Sequence, residues 1–355
     1  MPFTPNELER YSRQIMLPEF GERGQERLKA ARVLVIGAGG LGSPAALYLA
    51  AMGVGTLGIV DDDYVAISNL HRQILYRESD IGKGKAKLSR EHLVGINSHV
   101  DIQSFEERLT RENAIDILRD FDLVLDGSDN FATRYLLNDA CLILDIPLIS
   151  ASILQFEGQL SVLCVPDGPC YGCLFPEPPS AADAPSCAEA GVMGALAGVM
   201  GTMMAVEAVK LLAKVGESLA GRLLLYNALA GNVKTIRVDR DPHCLVCSLP
   251  PGKRKLAESY EMETCLSDVP EISWIDFGRT AMPLIDVREE WECYGQPSKG
   301  KLIPMGSLAE RIGELPAGKF GIVCASGMRS LEAASMLRQK GFDAVSIHGG
   351  MNAIR

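Results

Sequence analysis

A glycine-rich turn in the first fifty residues has the spacing of a phosphate-binding loop. The run Val33–Gly37 is typical of a strand, and the turn continues through Gly39 and Gly40 to Gly42, where a helix-like segment begins. Glycines permit the tight turn and let a phosphate approach the backbone N–H groups at the helix N-terminus. Asp61 ends the next predicted strand, 19 residues beyond Gly42, where a ribose-binding carboxylate is expected. The turn predicts a nucleotide site, with close strand–helix packing and no ligand as the alternative.

Charged residues after this turn favour a triphosphate over a dinucleotide. Arg72 lies in the polar segment 61–73, and Lys85 follows in the run 82–85. Two fixed cations suit a triphosphate better than a pyrophosphate that backbone amides already satisfy. Asp129 and Asn130 follow a further strand, at the edge where open α/β sheets bind ligands, and a carboxylate there can hold Mg²⁺. An NAD-dependent oxidoreductase is the alternative enzyme, and ordinary surface charges are the alternative for Arg72 and Lys85.

Two C-x-x-C pairs on turn-rich sequence predict a metal site. The pairs are Cys170 with Cys173 and Cys244 with Cys247. Four thiolates in this arrangement match a tetrahedral structural Zn²⁺. A redox pair is the alternative for a single C-x-x-C, but two such pairs favour zinc. Four sulfur ligands leave no open coordination position, so we expect no catalytic role for the metal.

Cys324 lies on a short loop between a predicted strand, Phe320–Val323, and a predicted helix, Ser330–Lys340. Such a loop aims several backbone N–H groups at the sulfur, and these amides together with Arg329 would stabilise a thiolate or a persulfide. The loop is one residue shorter than that of a tyrosine phosphatase, so it suits a sulfur atom better than a phosphate. A core cysteine at the end of a strand is the alternative. Four further cysteines are interpreted as core or bystander residues: Cys141, Cys164, Cys265 and Cys293.

Alternating apolar runs and helix-like segments place these residues on an α/β fold. In the first 250 residues the alternation predicts a Rossmann-like, mainly parallel sheet with helices on both faces. The uncharged run Ala190–Val206 is too short for a membrane span and is interpreted as a buried helix. A proline-rich basic segment then predicts a linker, followed by a smaller α/β domain. The predicted boundaries are residues 1–248, a linker at 249–264, and 265–355.

The composition excludes several classes of protein. The chain has 355 residues, a net charge of −10 and 47% hydrophobic residues, as expected for two globular domains rather than a disordered chain. The negative charge argues against a broad nucleic-acid-binding face. The first twenty residues contain no apolar signal core, and ten cysteines are too few for a disulfide scaffold. We therefore expect a cytoplasmic protein that binds neither a membrane nor nucleic acid directly.

The first 250 residues resemble the ThiF/MoeB/HesA adenylyltransferases, which are relatives of ubiquitin-activating enzymes. The resemblance rests on four motifs, in this order along the chain: GAGGLG, D-D-D-x-V-x-x-S-N-L-x-R-Q, G-K-x-K and D-G-S-D-N. The resemblance covers about residues 5 to 248 and implies that ATP adenylates the C-terminal glycine of a ubiquitin-fold sulfur-carrier protein. It implies a homodimer, with Arg13 supplied by the second subunit, and an acyl-accepting or persulfide-resolving Cys187. The nucleotide-binding positions that it implies are Gly37, Gly39, Gly40, Gly42, Asp61, Ser68, Asn69, Leu70, His71, Arg72, Lys85, Asp129 and Asn130.

The C-terminal residues resemble a rhodanese (sulfurtransferase) domain. Leu284–Glu292 contains the Asp-Val-Arg motif, and the loop at Cys324 has the position of the persulfide cysteine. The stretch Leu302–Gly306 departs from the usual histidine–isoleucine–proline–glycine. The resemblance implies that a persulfide on Cys324, received from a donor such as a cysteine desulfurase, converts the carrier to a thiocarboxylate. A rhodanese domain that acts only as a docking module is the alternative, and the pathway stays open.

Overall fold

The computed structural model describes residues 3–177, 191–260 and 269–354, which form two compact units. The first unit comprises residues 3–177 and 191–260, and the second comprises residues 269–354. Each unit contains its own sheet and its own hydrophobic core. The fold is therefore α/β in both units, as the sequence predicts.

The first unit is built on an eight-stranded sheet in the order β3-β2-β1-β4-β5-β6-β7-β8. Its strands are β1 (Arg32–Ile36), β2 (Thr56–Val60), β3 (Asp101–Phe105), β4 (Leu123–Asp126), β5 (Leu148–Leu154), β6 (Glu157–Leu163), β7 (Arg222–Asn227) and β8 (Asn232–Arg237). Its helices are α1 (Pro5–Ile15), α2 (Gly21–Ala30), α3 (Gly42–Met52), α4 (Lys85–Ile96), α5 (Ala114–Leu118), α6 (Phe131–Leu144), α7 (Tyr171–Leu174) and α8 (Gly194–Ala213). The five strands from β3 to β5 pair in parallel, and the pairs from β5 to β8 are antiparallel.

Both faces of the parallel strands are covered, which explains their nearly continuous apolar sequences. On β1, Val33 and Val35 belong to the core beneath α3 and α8, whereas Leu34 and Ile36 belong to the core beneath α5 and α6. The order of the strands reverses between β1 and β4, so the ends of these two strands open a crevice. Open α/β sheets bind their ligands at this position.

α8 is the one helix in the described part of the chain that is long and apolar enough to cross a membrane by length and composition. Its residues Leu196, Met200 and Met204 are buried in the core between the helix and the sheet. Gly201 makes this packing possible, because a Cβ there would lie 2.3 Å from the Leu41 carbonyl oxygen. The packing of α8 agrees with the buried helix that was predicted from the run Ala190–Val206.

Part of the predicted linker packs on the first unit. Tyr260 donates a hydrogen bond from its hydroxyl to Asp139 Oδ2, at 2.7 Å. Arg254 donates to the Leu142 carbonyl at 2.8 Å, and Arg111 donates to the Ala257 carbonyl at 2.9 Å. Residues 251–260 are therefore an ordered extension of the first unit rather than a free connection.

The second unit has a five-stranded parallel sheet in the order β11-β10-β12-β13-β9. Its elements are β9 (Glu271–Ile272), α9 (Trp274–Phe277), β10 (Leu284–Asp286), β11 (Lys301–Leu302), β12 (Lys319–Val323), α10 (Met328–Gln339) and β13 (Asp343–Ile347). The central strands β10, β12 and β13 are buried, with Phe320 and Ile322 fully enclosed. The sheet edge after β12 carries Cys324, as the sequence predicts.

The N-terminal helix is tied to its neighbour by a buried carboxylate. Glu7 on α1 is 2.7 Å from the Lys29 ammonium on α2, and the Thr4 backbone donates to it. Burial raises the pKa of Glu7, but the hydrogen bonds from Lys29 and Thr4 outweigh burial and lower the pKa to about 2. The charged Glu7 carboxylate contributes its full stabilisation above about pH 4.3, the pKa of a glutamate in the unfolded chain. This contribution disappears as the pH falls towards 2.

Replacing Glu7 with glutamine should therefore destabilise the first unit only where the carboxylate is charged. We expect the variant's free energy of unfolding to be lower than that of the wild type by about 1–3 kcal/mol at pH 7. This difference should become progressively smaller below pH 5. Urea unfolding of the wild type and the Glu7→Gln variant at pH 7 and pH 4 measures the difference. An equal loss at both pH values would show that the ion pair with Lys29 is not the cause.

Candidate functional site

A cavity of about 350 Å³ opens at the crevice between β1 and β4. Eight of the predicted nucleotide-binding residues line it: Gly37, Gly39, Gly40, Asp61, Arg72, Lys85, Asp129 and Asn130. Strand ends and the loops after them supply these residues, which explains why positions almost 100 residues apart meet. A cavity of this volume lies within the range of small-molecule sites.

The other five predicted nucleotide-binding residues are not among the described residues that line the cavity, but they contact the loops and helices beside it. Gly42 begins α3, and a Cβ there would lie 1.8 Å from the Gly37 carbonyl oxygen. Ser68 accepts a hydrogen bond from Arg72 through its carbonyl, and the Asn69 side chain accepts one from the Ala66 amide. Two further predicted residues also lie outside the cavity lining, namely Leu70, which packs on the core, and His71, whose ring contacts Arg72.

The glycine turn is held by the carboxylate that was predicted to bind a ribose. Asp61 Oδ2 accepts from the Ala38 amide at 2.7 Å, and Oδ1 accepts from the Asp63 amide at 2.9 Å. Burial is the main cause that raises the pKa of Asp61. Gly37 in the same turn has φ +83°, a backbone conformation that favours glycine. The turn and the carboxylate are thus held together by direct hydrogen bonds.

The two predicted cations differ in how they are held. Lys85 is only 4% exposed, and its ammonium lies 2.5 Å from Asp63 Oδ2. Arg72 is fixed by its own loop, donating to the Ser68 carbonyl at 2.9 Å and contacting His71 Nε2 at 2.8 Å. A buried ammonium with one carboxylate partner keeps donor capacity for an anion in the cavity. Both positive charges are therefore held in fixed positions at the cavity.

The turn after β4 is organised by a buried aspartate that the sequence analysis did not single out. Asp126 is fully buried and accepts hydrogen bonds from the Ser128 amide and hydroxyl and from the Ser150 hydroxyl, at 3.0, 2.6 and 3.0 Å. Burial is the main cause that raises its pKa. Asn130 caps α6 by accepting from the Thr133 amide at 2.9 Å. This turn presents Asp129 to the cavity.

Further residues line the cavity that sequence reasoning missed. They are Gln73, Glu107, Arg108, Leu109, Thr133 and Arg134, among others. Gln73 is 4% exposed, and its Oε1 has no hydrogen-bond partner in the described part of the chain, so it can receive a donor from a ligand. Its position directly after Arg72 in the motif was the available signal. Glu107, Arg108 and Leu109 lie on the loop after β3, and the sequence gave no signal for them because β3 itself was not predicted.

The four cysteines of the two C-x-x-C pairs come together as one cluster. The distances between sulfur atoms are 3.7 Å for Cys170 and Cys173, 3.6 Å for Cys170 and Cys244, and 3.5 Å for Cys173 and Cys247. Tetrahedral Zn²⁺ with Zn–S bonds of about 2.3 Å requires sulfur atoms about 3.8 Å apart. The cluster therefore fits a zinc ion, and none of its cysteines lines the nucleotide cavity.

Cys324 is fully buried at the end of β12. The amides of Gly327 and Ser330 donate to its sulfur at 3.1 and 3.4 Å. Arg329, which was predicted to stabilise the sulfur, forms a two-point ion pair with Glu292 at 2.6 and 2.8 Å. The two backbone amides are placed to stabilise negative charge on the sulfur, and the ion pair of Arg329 fixes the loop to the Asp-Val-Arg segment.

Two further predicted residues, Arg13 and Cys187, are not among the described residues that line the cavity. Arg13 lies on α1, where its Nη1 contacts Met16 Sδ at 4.0 Å, and it is not among the described residues that line the cavity of its own chain. Cys187 lies outside the described residues.

The comparisons with known proteins show which family the chain belongs to. The sequence model of the ThiF family matches residues 11–246. The chain is 51% identical over 263 residues to "Sulfur carrier protein adenylyltransferase" of Thermus thermophilus, covering 73% of this chain and 97% of that protein. It is 42% identical to "Probable adenylyltransferase/sulfurtransferase MoeZ" of Mycobacterium tuberculosis, covering 98% of this chain and 92% of that protein.

The fold is also found in a solved structure, that of E. coli MccB, with a TM-score of 0.61 and 22% identity over 69% of this chain and 74% of that chain. At this identity the likeness concerns the fold alone. The relative that spans nearly the whole chain combines both units, which agrees with a rhodanese-like second unit. The chain belongs to the ThiF family and is an enzyme of the adenylyltransferase and sulfurtransferase type.

Proposed function

We propose that the first unit uses Mg²⁺ and ATP to adenylate the C-terminal glycine of a ubiquitin-fold sulfur-carrier protein that ends in Gly-Gly. The observation that carries the proposal is one cavity whose lining includes the glycine turn, the two predicted cations Arg72 and Lys85, and Asp129. A carboxylate is already ionised at pH 7, so its attack on the α-phosphate needs no general base. What it needs is neutralisation of the triphosphate and stabilisation of the departing pyrophosphate, which positioning and cations supply.

Each part of the cavity has a role in this step. The glycine turn receives phosphate at the N-terminus of α3, and Asp61 lies beside it for the ribose. Arg72 and Lys85 bind the phosphates, and Asp129 with Asn130 would hold Mg²⁺, which neutralises the phosphate charge when bound. Val192 and Ile153 are apolar residues of the cavity lining and would contact the carrier tail.

Sulfur transfer would follow on the second unit. A sulfur donor such as a cysteine desulfurase converts Cys324 to a persulfide, whose terminal sulfur attacks the carbonyl of the acyl-adenylate and releases AMP. A thiolate, in this proposal that of Cys187, then attacks the Cys324 sulfur, leaving a thiocarboxylate on the carrier and a disulfide between the two cysteines. A cellular thiol must reduce that disulfide before the next cycle. The compartment proposed for this chemistry is the cytoplasm, which is reducing.

The adenylating enzyme would be a homodimer with Arg13 reaching the partner's cavity. Arg13 does not line its own cavity among the described residues, which is what a residue supplied across an interface requires. α8 and α3 pack together and expose apolar side chains. Val199, Val206 and Tyr48, for example, are 37%, 53% and 47% exposed. A second copy of the chain would bury this surface through a self-complementary interface.

The cysteine cluster is proposed to hold one structural Zn²⁺, and its removal should destabilise the first unit. We expect metal analysis to find about one zinc per chain. The Cys244→Ser variant should lose the metal, with a fall in Tm of about 10 °C. Cys141→Ala, which removes another buried thiol of the same unit, should keep the metal. A wild-type protein free of zinc with an unchanged Tm after chelation would contradict this proposal.

The experiment that tests the function is exchange of labelled pyrophosphate into ATP by the purified full-length chain with a carrier that ends in Gly-Gly. We expect exchange that depends on carrier and on Mg²⁺, and none with a carrier truncated by two residues. Binding of NAD without any ATP-dependent exchange would overturn the proposal. Genes adjacent to this one, especially a small reading frame ending in Gly-Gly, would identify the carrier to use.

A further inference from the structure

The hydroxyl of Tyr76 joins the glycine turn to the helix that carries Lys85. Tyr76 is 6% exposed, and its hydroxyl donates to the Ala38 carbonyl at 2.9 Å. The Ser89 hydroxyl, on α4 four residues after Lys85, lies 3.0 Å from the phenol oxygen and can donate to it. One phenol oxygen therefore connects two segments that line the nucleotide cavity.

The backbone of Ala38 is held on both sides of its Cα atom. Its carbonyl accepts a second hydrogen bond, at 2.9 Å, from the hydroxyl of Ser43, which is fully buried in α3. A carbonyl oxygen has two lone pairs, so Tyr76 and Ser43 together use its full accepting capacity. The Ala38 amide donates to Asp61, as described above. The middle of the glycine turn is thus fixed by three side chains from three different segments.

The two hydroxyls also determine the direction of the next amide. The peptide between Ala38 and Gly39 is trans, so its C=O and N–H point in opposite directions. The Gly39 N–H therefore points away from Tyr76 and Ser43, and it donates to no group in the described part of the chain. Gly39 lines the cavity. Because glycine adopts φ of either sign, a peptide that is not held at its carbonyl could turn over and withdraw this donor.

We propose that Tyr76 is a positioning residue for the nucleotide: with Ser43, it holds the peptide between Ala38 and Gly39 so that the Gly39 N–H donates to a phosphate of ATP. The inference rests on the proposed function and extends it, because it assigns the orientation of a phosphate donor to a buried hydroxyl. Neither Tyr76 nor Ser43 is among the described residues that line the cavity, so we expect neither to contact the nucleotide.

The test is calorimetric binding of an ATP analogue, with a methylene group between the α- and β-phosphates, to the full-length chain in Mg²⁺. Pyrophosphate exchange is assayed in parallel. Tyr76→Phe keeps the ring and removes the hydroxyl, so it should raise the Kd of the analogue and the KM for ATP by about threefold to tenfold. The kcat should stay within about twofold of the wild type, because the lost interaction is made in the ground state and the transition state alike. Adenosine has no phosphate, so its inhibition constant should also stay within about twofold.

Two further variants test the same carbonyl. Ser43→Ala removes its other donor and should raise the Kd of the analogue by a similar factor. The double variant leaves a buried carbonyl without a donor, so its effect should exceed the product of the two single effects. Tyr135→Phe is the matched control, since the Tyr135 hydroxyl donates to the Phe175 carbonyl and should leave Kd and KM within about twofold of the wild type.

Three results would contradict this role of Tyr76. The first is a Tyr76→Phe variant that binds the analogue as tightly as the wild type. The second is an equal loss of affinity for adenosine, because the effect would then lie at the ribose or the base. The third is a lower kcat with unchanged KM and Kd, which is the result expected of a variant that only folds less well. Absence of exchange in a wild-type chain that binds the analogue would refute the proposed function, and the Kd values would still decide the role of Tyr76.

Discussion

Replacing Lys85 with methionine is expected to lower the rate of carrier-dependent pyrophosphate exchange by about 10²- to 10³-fold. The ammonium is buried in the cavity wall beside Asp63, where water does not screen it. A charge fixed in this way stabilises the developing negative charge of the pyrophosphate without reorganisation. Methionine keeps most of the length and the apolar stem, so the change isolates the charge.

Lys87 provides the matched control for this prediction. It lies two residues later on the same helix, α4, and its side chain is exposed. Lys87→Met should leave the exchange rate within about twofold of the wild type, because surface substitutions away from a site have small effects. Equal losses in the two variants would show that the net charge of the helix, rather than the buried ammonium, matters for adenylation.

The local architecture around the nucleotide cavity was predictable because each element carries its own signal. The β1 run, the glycine turn and α3 follow one another in sequence, and apolar residues on both faces of β1 indicate a covered parallel strand. β8 gave no such signal, since all of its residues are exposed at the sheet edge. The polar helix α1 was missed as well, although Thr4 and Glu7 form a capping box that could have been recognised.

The contacts that organise the sites join residues that are far apart in the sequence, so no local sequence pattern could predict them. Arg329 is 37 residues from Glu292 in the sequence, and no local pattern indicated the ion pair that joins them. Tyr260 looked like part of a free linker because prolines and basic residues precede it, yet it donates to Asp139. Residue types predicted which chemistry is present, whereas tertiary packing decided which groups meet.

Replacing Cys324 with serine is expected to abolish thiocarboxylate formation, with a loss of more than about 100-fold, while pyrophosphate exchange stays within about twofold of the wild type. The sulfur is fully buried and receives the Gly327 and Ser330 amides, which would stabilise the anionic persulfide as it forms and is consumed. Serine fits the same space but cannot carry a second sulfur atom. The measurement is mass spectrometry of the carrier after incubation with ATP and a persulfide donor, with exchange assayed in parallel.

Cys293→Ser serves as the control, because it removes a half-buried thiol of the same unit one residue away from Glu292. It should keep thiocarboxylate formation within about twofold of the wild type. If Cys324→Ser retains full activity, the second unit is a docking module for a donor that delivers sulfur directly to the acyl-adenylate. Loss of exchange as well as sulfur transfer would show instead that the variant disturbs the first unit, and the two steps would not be separable by domain.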